Sequence, residues 1–395
     1  MPSSARIWRR LMMPDAARLH RYQVMPEQGP KILFFSGGSA LNNISRVLKQ
    51  YSHQSIHLVT PFDSGGSSAK LRAQFDMPAV GDLRSRLMAL ADETVMGQPE
   101  VYDLFTHRFA KQADQQSLQA ELQQLVAGEH PLIACISNPM KALIQTQLAV
   151  MQDKIDDNFD LKGASIGNLI IAGGYLNNLQ QLDPIVFLFS RLTQTLGEVK
   201  TTVDAPFHLG VALDNGDIVL GQHNITAKET SELIAPIQRI WLNKGLKKLQ
   251  PINQAIAEDR IELINSAELI CYPPGSFFSS LIANLLPQGV GTAICQNANP
   301  KVYVPNLGTD PEQLGYTLMT QVKTLIDIVL EDAFQFEEGF GALDYLLIDD
   351  RYDYGYIDQA YLSESGVKII KTPLIKDQPE EYDETLLVEA LLSLT

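Results

Sequence analysis

One early segment of the sequence constrains the fold more than any other: a predicted strand runs directly into a glycine turn and a helix. Residues 32–35 form an unbroken apolar run, which is typical of a strand buried on both faces of a parallel sheet. The turn Ser36-Gly37-Gly38-Ser39 follows, and from Leu41 onward apolar residues recur at helical spacing. Such a unit directs backbone N–H groups and a helix N-terminus toward an anion. Because the complete G-x-G-x-x-G pattern is absent, a phosphate-binding turn and a plain connection both remain open.

A second polar loop follows the next predicted strand, Ser55–Val59. It offers many N–H and O–H donors at the carboxyl end of a strand, where open α/β sheets bind ligands. The loop consists of Asp63, Ser64, Gly65, Gly66, Ser67 and Ser68.

Positive charge gathers just after this loop, at Lys70, Arg72, Arg84 and Arg86. For Lys70 and Arg72 two interpretations stay open, a phosphate contact and a solvated helix charge. For Arg86 we expect a solvated helix charge.

Other polar residues near predicted helix ends have both a structural and a functional interpretation. Asp82 begins the predicted helix 81–92 and is expected to be its N-cap. Asn168 follows a further glycine turn, where it either caps a helix, the commoner event, or bonds to a ligand. His107 and Arg108 lie within possible reach of a ligand, although a histidine beside aromatic residues is usually structural.

The remaining pattern predicts one large α/β domain with a mostly parallel sheet. Residues 209–220 read as an antiparallel hairpin turned at Asn215-Gly216, so we expect the sheet not to be purely parallel. Residues 267–280 repeat the strand, Gly-Ser turn and helix of the opening unit. Short strands are expected at 293–295 and 302–304.

No linker or repeat divides residues 31–395, so we assign them to a single domain. Residues 1–30 are basic and proline-containing, and we interpret them as an extension that packs on the domain or trails from it.

Composition excludes several classes of function. The formal net charge of −15 argues against a general nucleic-acid surface, but it permits a small anionic ligand. The three cysteines are widely separated, which argues against disulfides and zinc and fits a reducing, cytoplasmic location. No apolar run approaches the ~20 residues of a membrane span, so no membrane partner is expected.

Taken together, the motifs resemble the 2-phospho-L-lactate transferase (CofD-like) family. The chain looks more similar to the branch of gluconeogenesis factors, which resemble UDP-sugar-binding proteins. The resemblance runs from residue 36 to 279 and is extended to about 31–395. Five motifs in family order carry it: Ser36–Ser39, Asp63–Ser68, Gly81–Arg84, Gly163–Asn168 and Pro274–Ser279.

The resemblance implies a Rossmann-like sheet that binds a nucleoside diphosphate. In the transferase branch, a 2-phospholactyl-type group moves from a nucleoside diphosphate to the hydroxyl of a deazaflavin, with magnesium. Asp63 would then be the catalytic residue or the magnesium ligand. The residues expected to bind the nucleotide are Ser36, Gly37, Gly38, Ser39, Gly65, Gly66, Ser67, Ser68, Lys70, Arg72, Asn168, Pro274, Gly275 and Ser276.

The sequence departs from the family pattern at three places. The usual paired aspartates appear as Asp63-Ser64, the usual histidine before Ser-x-Gly-Asn is Ala164, and the first glycine turn carries serines. Because two adjacent carboxylates can hold Mg²⁺ or take a hydroxyl proton, the loss of one affects transfer more than nucleotide binding.

Two functions therefore remain open. One is a transferase that uses a nucleoside-diphosphate-activated donor; the other is a nucleotide-sugar-binding regulatory protein without turnover. A nicotinamide dehydrogenase lacks the complete glycine fingerprint. The identity of the base, the acceptor and the oligomeric state stay open, with a homodimer as one candidate.

Overall fold

The computed structural model describes residues 12–94, 97–156, 158–226, 233–333, 341–376 and 380–395. The first eleven residues of the predicted basic extension, with Arg6, Arg9 and Arg10, lie outside the described residues. None of the helices in these ranges is both long and apolar enough to cross a membrane.

The strands of the described residues fall into two sheets. They are β1 Ile32–Ser36, β2 Ile56–Val59, β3 Glu198–Thr201, β4 His208–Leu213, β5 Ile218–Leu220, β6 Ile237–Asn243, β7 Leu269–Tyr272, β8 Lys301–Tyr303, β9 Tyr345–Asp349 and β10 Lys368–Thr372.

Helices connect and cover these strands. They are α1 Ala16–Val24, α2 Asn42–Leu48, α3 Gly66–Phe75, α4 Gly81–Leu90, α5 Pro99–Thr106, α6 Gln115–Ala127, α7 Pro131–Ala134, α8 Met140–Lys154, α9 Ile166–Asn177, α10 Asp183–Leu192, α11 Gln222–Ile225, α12 Glu258–Ser266, a π-helix Phe277–Ile282, α13 Ala283–Leu285, α14 Val290–Gln296, α15 Leu318–Asp332, α16 Gln359–Glu364 and α17 Glu384–Ser393.

The main sheet has seven strands in the order β10-β9-β8-β7-β1-β2-β3, and every pairing in it is parallel. The α/β fold with a mostly parallel sheet is confirmed. Strand order reverses at β1, which pairs with β2 on one side and with β7 on the other. Open parallel sheets bind ligands at the carboxyl ends of the strands at such a reversal.

The predicted hairpin is confirmed as β4 and β5, but it belongs to a separate three-stranded sheet of order β5-β4-β6. Within the described residues the seven-stranded sheet is thus purely parallel, contrary to expectation. The predicted strand at 293–295 is also wrong, because these residues lie in α14. A helix buried along most of its length shows a short apolar run that periodicity cannot distinguish from a strand.

Side chains of β1 alternate between two apolar cores. Leu33 and Phe35 pack into the core that includes residues of α14 and α15, whereas Ile32 and Phe34 pack with α2 and α17. Helix α1 of the predicted extension packs on α17, and its Tyr22 hydroxyl lies 3.1 Å from Thr395 Oγ1. Residues 16–24 are therefore part of the folded body.

A buried asparagine connects strand ends that are distant in sequence. Asn284 Nδ2 donates to the carbonyl oxygens of Ser36 and Ser280, each at 2.9 Å, and its Oδ1 accepts a hydrogen bond from Thr202. Asn284 is fully buried. Its side chain thus joins the end of β1, the segment after β3 and the helical segment after β7.

We expect Asn284→Ala to lower the free energy of unfolding by about 2–3 kcal/mol, because it leaves buried polar partners without hydrogen bonds. Urea denaturation measures this change. Gln116→Ala, at an exposed position of α6, is the control and is expected to be nearly neutral. An equal effect of the two substitutions would contradict the assigned role of Asn284.

Candidate functional site

A cavity of about 420 Å³ opens at the carboxyl ends of β1 and β7, where the strand order reverses. It collects all the predicted site residues except Lys70 and Arg72; their roles as ligand contacts stay a prediction. The predicted residues that line it are Ser36, Gly37, Gly38, Ser39, Asp63, Gly65, Gly66, Ser67, Ser68, Asn168, Pro274, Gly275 and Ser276.

The two predicted cations outside the cavity have protein partners. Lys70 Nζ pairs with Asp160 Oδ2 at 2.6 Å. Arg72 is buried and donates to the carbonyl oxygens of Phe62, Asp63 and Phe207 at 3.0, 2.9 and 2.6 Å. Burial lowers the pKa of Arg72 to about 10. Arg72 therefore holds the Asp63 loop, and neither cation faces the cavity.

Protein side chains account for the glycines of the first turn. A Cβ at Gly37 would overlap the Ser280 hydroxyl, and a Cβ at Gly38 would lie 2.5 Å from Asp82 Oδ1. Both positions need glycine because Ser280 and Asp82 approach the backbone closely. The glycines alone therefore do not identify a phosphate site.

Arg86 lies fully buried beneath this turn, so the expectation of a solvated helix charge is wrong. Its guanidinium donates to Ser45 Oγ at 2.7 Å and to the carbonyl oxygens of Gly37 and Gly38 at 3.4 and 3.1 Å. Burial lowers its pKa to about 9. Arg86 fixes the turn by satisfying carbonyls that would otherwise be buried without donors.

Asp82 is not the N-cap of α4, contrary to expectation. The capping position is Val80, and Asp82 lies in the first turn with its carboxylate against Gly38. A negative charge thus stands beside the glycine turn.

The turn after β7 differs from the turn after β1, because the backbone N–H groups that follow it already have carboxyl partners. The N–H groups of Phe277, Phe278 and Ser279 donate to the carboxylates of Asp310 and Glu312 at 2.9, 3.0 and 2.7 Å. These amino-terminal donors are therefore already paired with carboxyl groups, and a ligand contact of residues 274–276 stays a prediction. These residues form a cavity wall.

Helices α3 and α4 begin at the cavity without side-chain caps. Helix α3 starts at Gly66, whose φ of +53° favours glycine. Helix α4 starts at Gly81, where a Cβ would lie 2.6 Å from Ser68 Oγ and 3.6 Å from Asp63 Oδ2. Two positive helix ends therefore converge beside Asp63.

An arginine pair forms the cationic side of the cavity. Arg84 Nε donates to Asn168 Oδ1 at 2.9 Å, and Arg108 donates to the Gly163 carbonyl at 3.2 Å. Among the described residues, neither guanidinium has a carboxylate within 4 Å. Burial, and then the charge of Arg108, lower the pKa of Arg84 to about 10. A bound anion would relieve this repulsion.

Asn168 is buried in the first turn of α9, and Ser165, rather than Asn168, caps this helix. The side-chain amide nitrogen of Asn168 donates to Ser67 Oγ at 3.2 Å, so Asn168 links Arg84 to the amino end of α3. His107 does not line the cavity and lies 3.6 Å from Glu121. The structural interpretation of this histidine fits its placement.

The segment that follows β5 of the three-stranded sheet contributes another part of the wall, through Gln222 and His223 of α11 and the adjacent Thr226. His223 Nδ1 lies 2.7 Å from the hydroxyl of Ser64, which itself does not line the cavity. Sequence reasoning missed His223. The available signal was Gly221, which ends the hairpin with a φ of +93° and turns the chain toward the cavity.

The cavity contains the carboxylates of Asp63 and Asp82. Asp63 Oδ1 accepts a hydrogen bond from the Gly65 N–H at 3.0 Å. No group of three or more metal-ligating side chains occurs within the described part of the chain. Since Mg²⁺ is commonly held by one or two carboxylates together with substrate phosphates, these carboxylates fit a magnesium ion only alongside a phosphorylated ligand.

Comparison with known proteins shows which family this chain matches. A family model described as 2-phospho-L-lactate transferase CofD matches residues 32–375. The gluconeogenesis factor of Bacillus subtilis (strain 168) is 27% identical over 370 residues, which cover 91% of this chain and 94% of that protein. The gluconeogenesis factor of Listeria monocytogenes is 28% identical over 291 residues, covering 74% and 70%. A crystal structure of a UPF0052 family member from Bacillus halodurans, 23% identical, has a TM-score of 0.66 and covers 92% and 99%, so it shares the fold.

The Glu312 carboxyl beside the cavity wall yields a pH prediction. Burial, and then Asp310, raise the pKa of Glu312 to about 7. The folded state thus binds this proton more tightly than the unfolded state does, and the free energy of unfolding should fall as pH rises from about 4.5 to about 7.

Glu312→Gln should remove this part of the slope, as measured by urea denaturation at several pH values. Glu331→Gln, at an exposed position of α15, should leave the slope intact. An unchanged slope in Glu312→Gln would show that another group titrates.

Proposed function

Because the chain belongs to the 2-phospho-L-lactate transferase CofD family, we propose that its cavity binds a nucleoside diphosphate or a conjugate of one, such as a nucleotide sugar. The observation that carries the proposal is the pair Arg84 and Arg108, which line the cavity without a carboxylate partner among the described residues. In a chain of net charge −15, cations left unpaired at a cavity favour an anionic ligand.

The arrangement of donors supports a diphosphate over a single small anion. The amino ends of α3 and α4, which carry no side-chain cap, and the arginine pair border one space from several elements. A volume of about 420 Å³ falls in the range of small-molecule sites. The crevice beside β1 and β7, lined by neutral turns and Asp82, is the proposed location of the nucleoside, because carboxylates bind ribose hydroxyls in related sheets.

Two activities follow from such binding, and each has a supporting observation. A regulatory protein without turnover is favoured by Ser64, which stands where the family usually has a second aspartate and bonds to His223 instead of lining the cavity. The relatives named gluconeogenesis factor accord with this activity. Transfer of a 2-phospholactyl-type group to a hydroxyl acceptor is favoured by Asp63, which lines the cavity beside two helix ends.

Isothermal titration calorimetry with UDP, GDP, UMP and GMP tests the ligand class. We expect a diphosphate to bind more tightly than its monophosphate. Arg84→Met and Arg108→Met should each weaken diphosphate binding about 10- to 100-fold, the loss expected for hydrogen bonds to a charged group. Arg191→Met, at an exposed position of α10, is the control.

Thermal unfolding checks that Arg84→Met still folds, and the more exposed Arg108 gives an independent result. Diphosphate affinity that is unaffected by both substitutions would place the anion elsewhere. Absence of binding by all four nucleotides would refute the proposal.

The role of Asp63 is tested by Asp63→Asn, which keeps an oxygen for the Gly65 N–H. If Asp63 holds Mg²⁺ against the phosphates, wild-type binding should tighten with Mg²⁺ and the binding by Asp63→Asn should not. Calorimetry with and without Mg²⁺ measures this effect, with Asp160→Asn as the control outside the cavity. Metal-independent binding by the wild type would leave Asp63 as a turn residue.

Incubation with a deazaflavin acceptor and the 2-phospholactyl conjugate of GMP or UMP, followed by ³¹P NMR, separates the two activities, because transfer joins the phospholactyl phosphorus to the acceptor hydroxyl oxygen and releases GMP or UMP. Turnover that requires Asp63 supports the transferase. Binding without turnover supports the regulatory protein.

A further inference from the structure

Ser64 and His223 form a hydrogen-bonded pair that joins the seven-stranded and three-stranded sheets. Ser64 Oγ lies 2.7 Å from His223 Nδ1, and the His223 backbone N–H donates to the same Oγ at 3.1 Å. Ser64 is only 7% exposed, whereas His223 is half-buried and lines the cavity.

The hydrogen-bonding needs of the two groups favour one placement of the protons. Ser64 Oγ already accepts from the His223 backbone, and its own proton needs an acceptor because a buried hydroxyl left unpaired is costly. Among the described residues, His223 Nδ1 is the acceptor that lies within hydrogen-bonding distance of this hydroxyl. The hydroxyl therefore donates to Nδ1, and a neutral His223 ring carries its proton on Nε2.

Gly221 lies close to the same edge of the ring. A Cβ at Gly221 would lie 2.8 Å from His223 Cε1 and 3.0 Å from Nδ1, so a larger residue at this position would disturb the ring. The neighbouring His208 stays neutral at physiological pH, since burial, and then Arg72 and His223, lower its pKa to about 4. With Nδ1 occupied by Ser64, the ring nitrogen left for a ligand is Nε2.

We propose that His223 is a ligand-binding residue that donates a hydrogen bond from Nε2 to an oxygen of the bound conjugate, and that Ser64 is the positioning residue that sets this tautomer. The inference rests on the proposed function for its ligand, a nucleoside diphosphate conjugate. The acceptor is a phosphoryl, hydroxyl or carbonyl oxygen of that conjugate.

The residue at position 64 then determines what the histidine does. A carboxylate has no proton to donate at neutral pH, so in Ser64→Asp it would accept one from Nδ1. The lone pair of Nε2 would face the cavity, and the ring would act as a proton acceptor toward a hydroxyl. Serine therefore makes His223 a donor for recognition, and aspartate would make it a base.

Long-range ¹H–¹⁵N NMR of histidine-labelled protein reads the tautomer directly at about pH 8, where imidazole is neutral. The wild type and Ser64→Thr should have the proton on Nε2, and Ser64→Asp should have it on Nδ1. Loss of signals in His223→Ala assigns the resonance. His57 is the matched control, because this residue of β2 bonds to the hydroxyl of Ser55, directly before the strand, and should not change. A wild-type proton on Nδ1 would overturn the inference.

Titration with UDP-glucose and GDP-mannose tests the ligand contact. Binding should shift the His223 Nε2 resonance, and His223→Ala should weaken binding about tenfold, the loss of one hydrogen bond, with partial rescue by His223→Gln. Binding that leaves this resonance and the affinity of His223→Ala unchanged would refute the contact while sparing the proposed function. Absence of binding by any nucleotide conjugate would refute the proposed function and the contact together, whereas the tautomer measurement would stand.

Discussion

The reversal of strand order at β1 is the constraint on which the rest of the molecule depends. At that point the chain leaves two neighbouring parallel strands in opposite directions, so a crevice opens whose backbone groups have no sheet partner. The protein satisfies these groups unequally. Arg86 is buried to bond the carbonyls of the β1 turn, and the carboxylates of Asp310 and Glu312 take the N–H groups after β7.

This distribution of charge explains how a strongly acidic protein can present an anion-binding cavity. Arg72 and Arg86 lie behind the loops, where their guanidinium groups donate to backbone carbonyls. Arg84 and Arg108 instead line the cavity. Net charge describes the surface as a whole, and it carries little information about a cavity whose charge depends on the few side chains that line it.

Much of the fold could be predicted from sequence because its signals are local. The apolar runs of β1, β2 and β7 are recognisable in the sequence, and the polar residues that follow these three strands do meet at one cavity. Partners distant in sequence could not be predicted. In the sequence, Arg86 resembles an ordinary charged residue on a helix surface, and only the folded structure brings its guanidinium to the Gly38 carbonyl. His223 reaches the site because the segment after β5 of the separate three-stranded sheet lies against Ser64. Likewise, no sequence pattern near Phe278 predicts that Glu312 accepts a hydrogen bond from its backbone N–H group.

The bond between Asn284 and Ser36 joins residues 248 positions apart, and it has a consequence for biosynthesis. The ribosome releases β1 early, but β1 cannot pair with β7 until residue 272 has emerged. Native pairings of such long range form late, since their loop-closure entropy must be overcome first. β2 emerges soon after β1, but the edge of β1 that faces β7 stays without its strand partner through most of translation. Chaperone demand should depend on that interval, and a circular permutation that begins at β7 would shorten it, because fewer residues then separate β7 from β1.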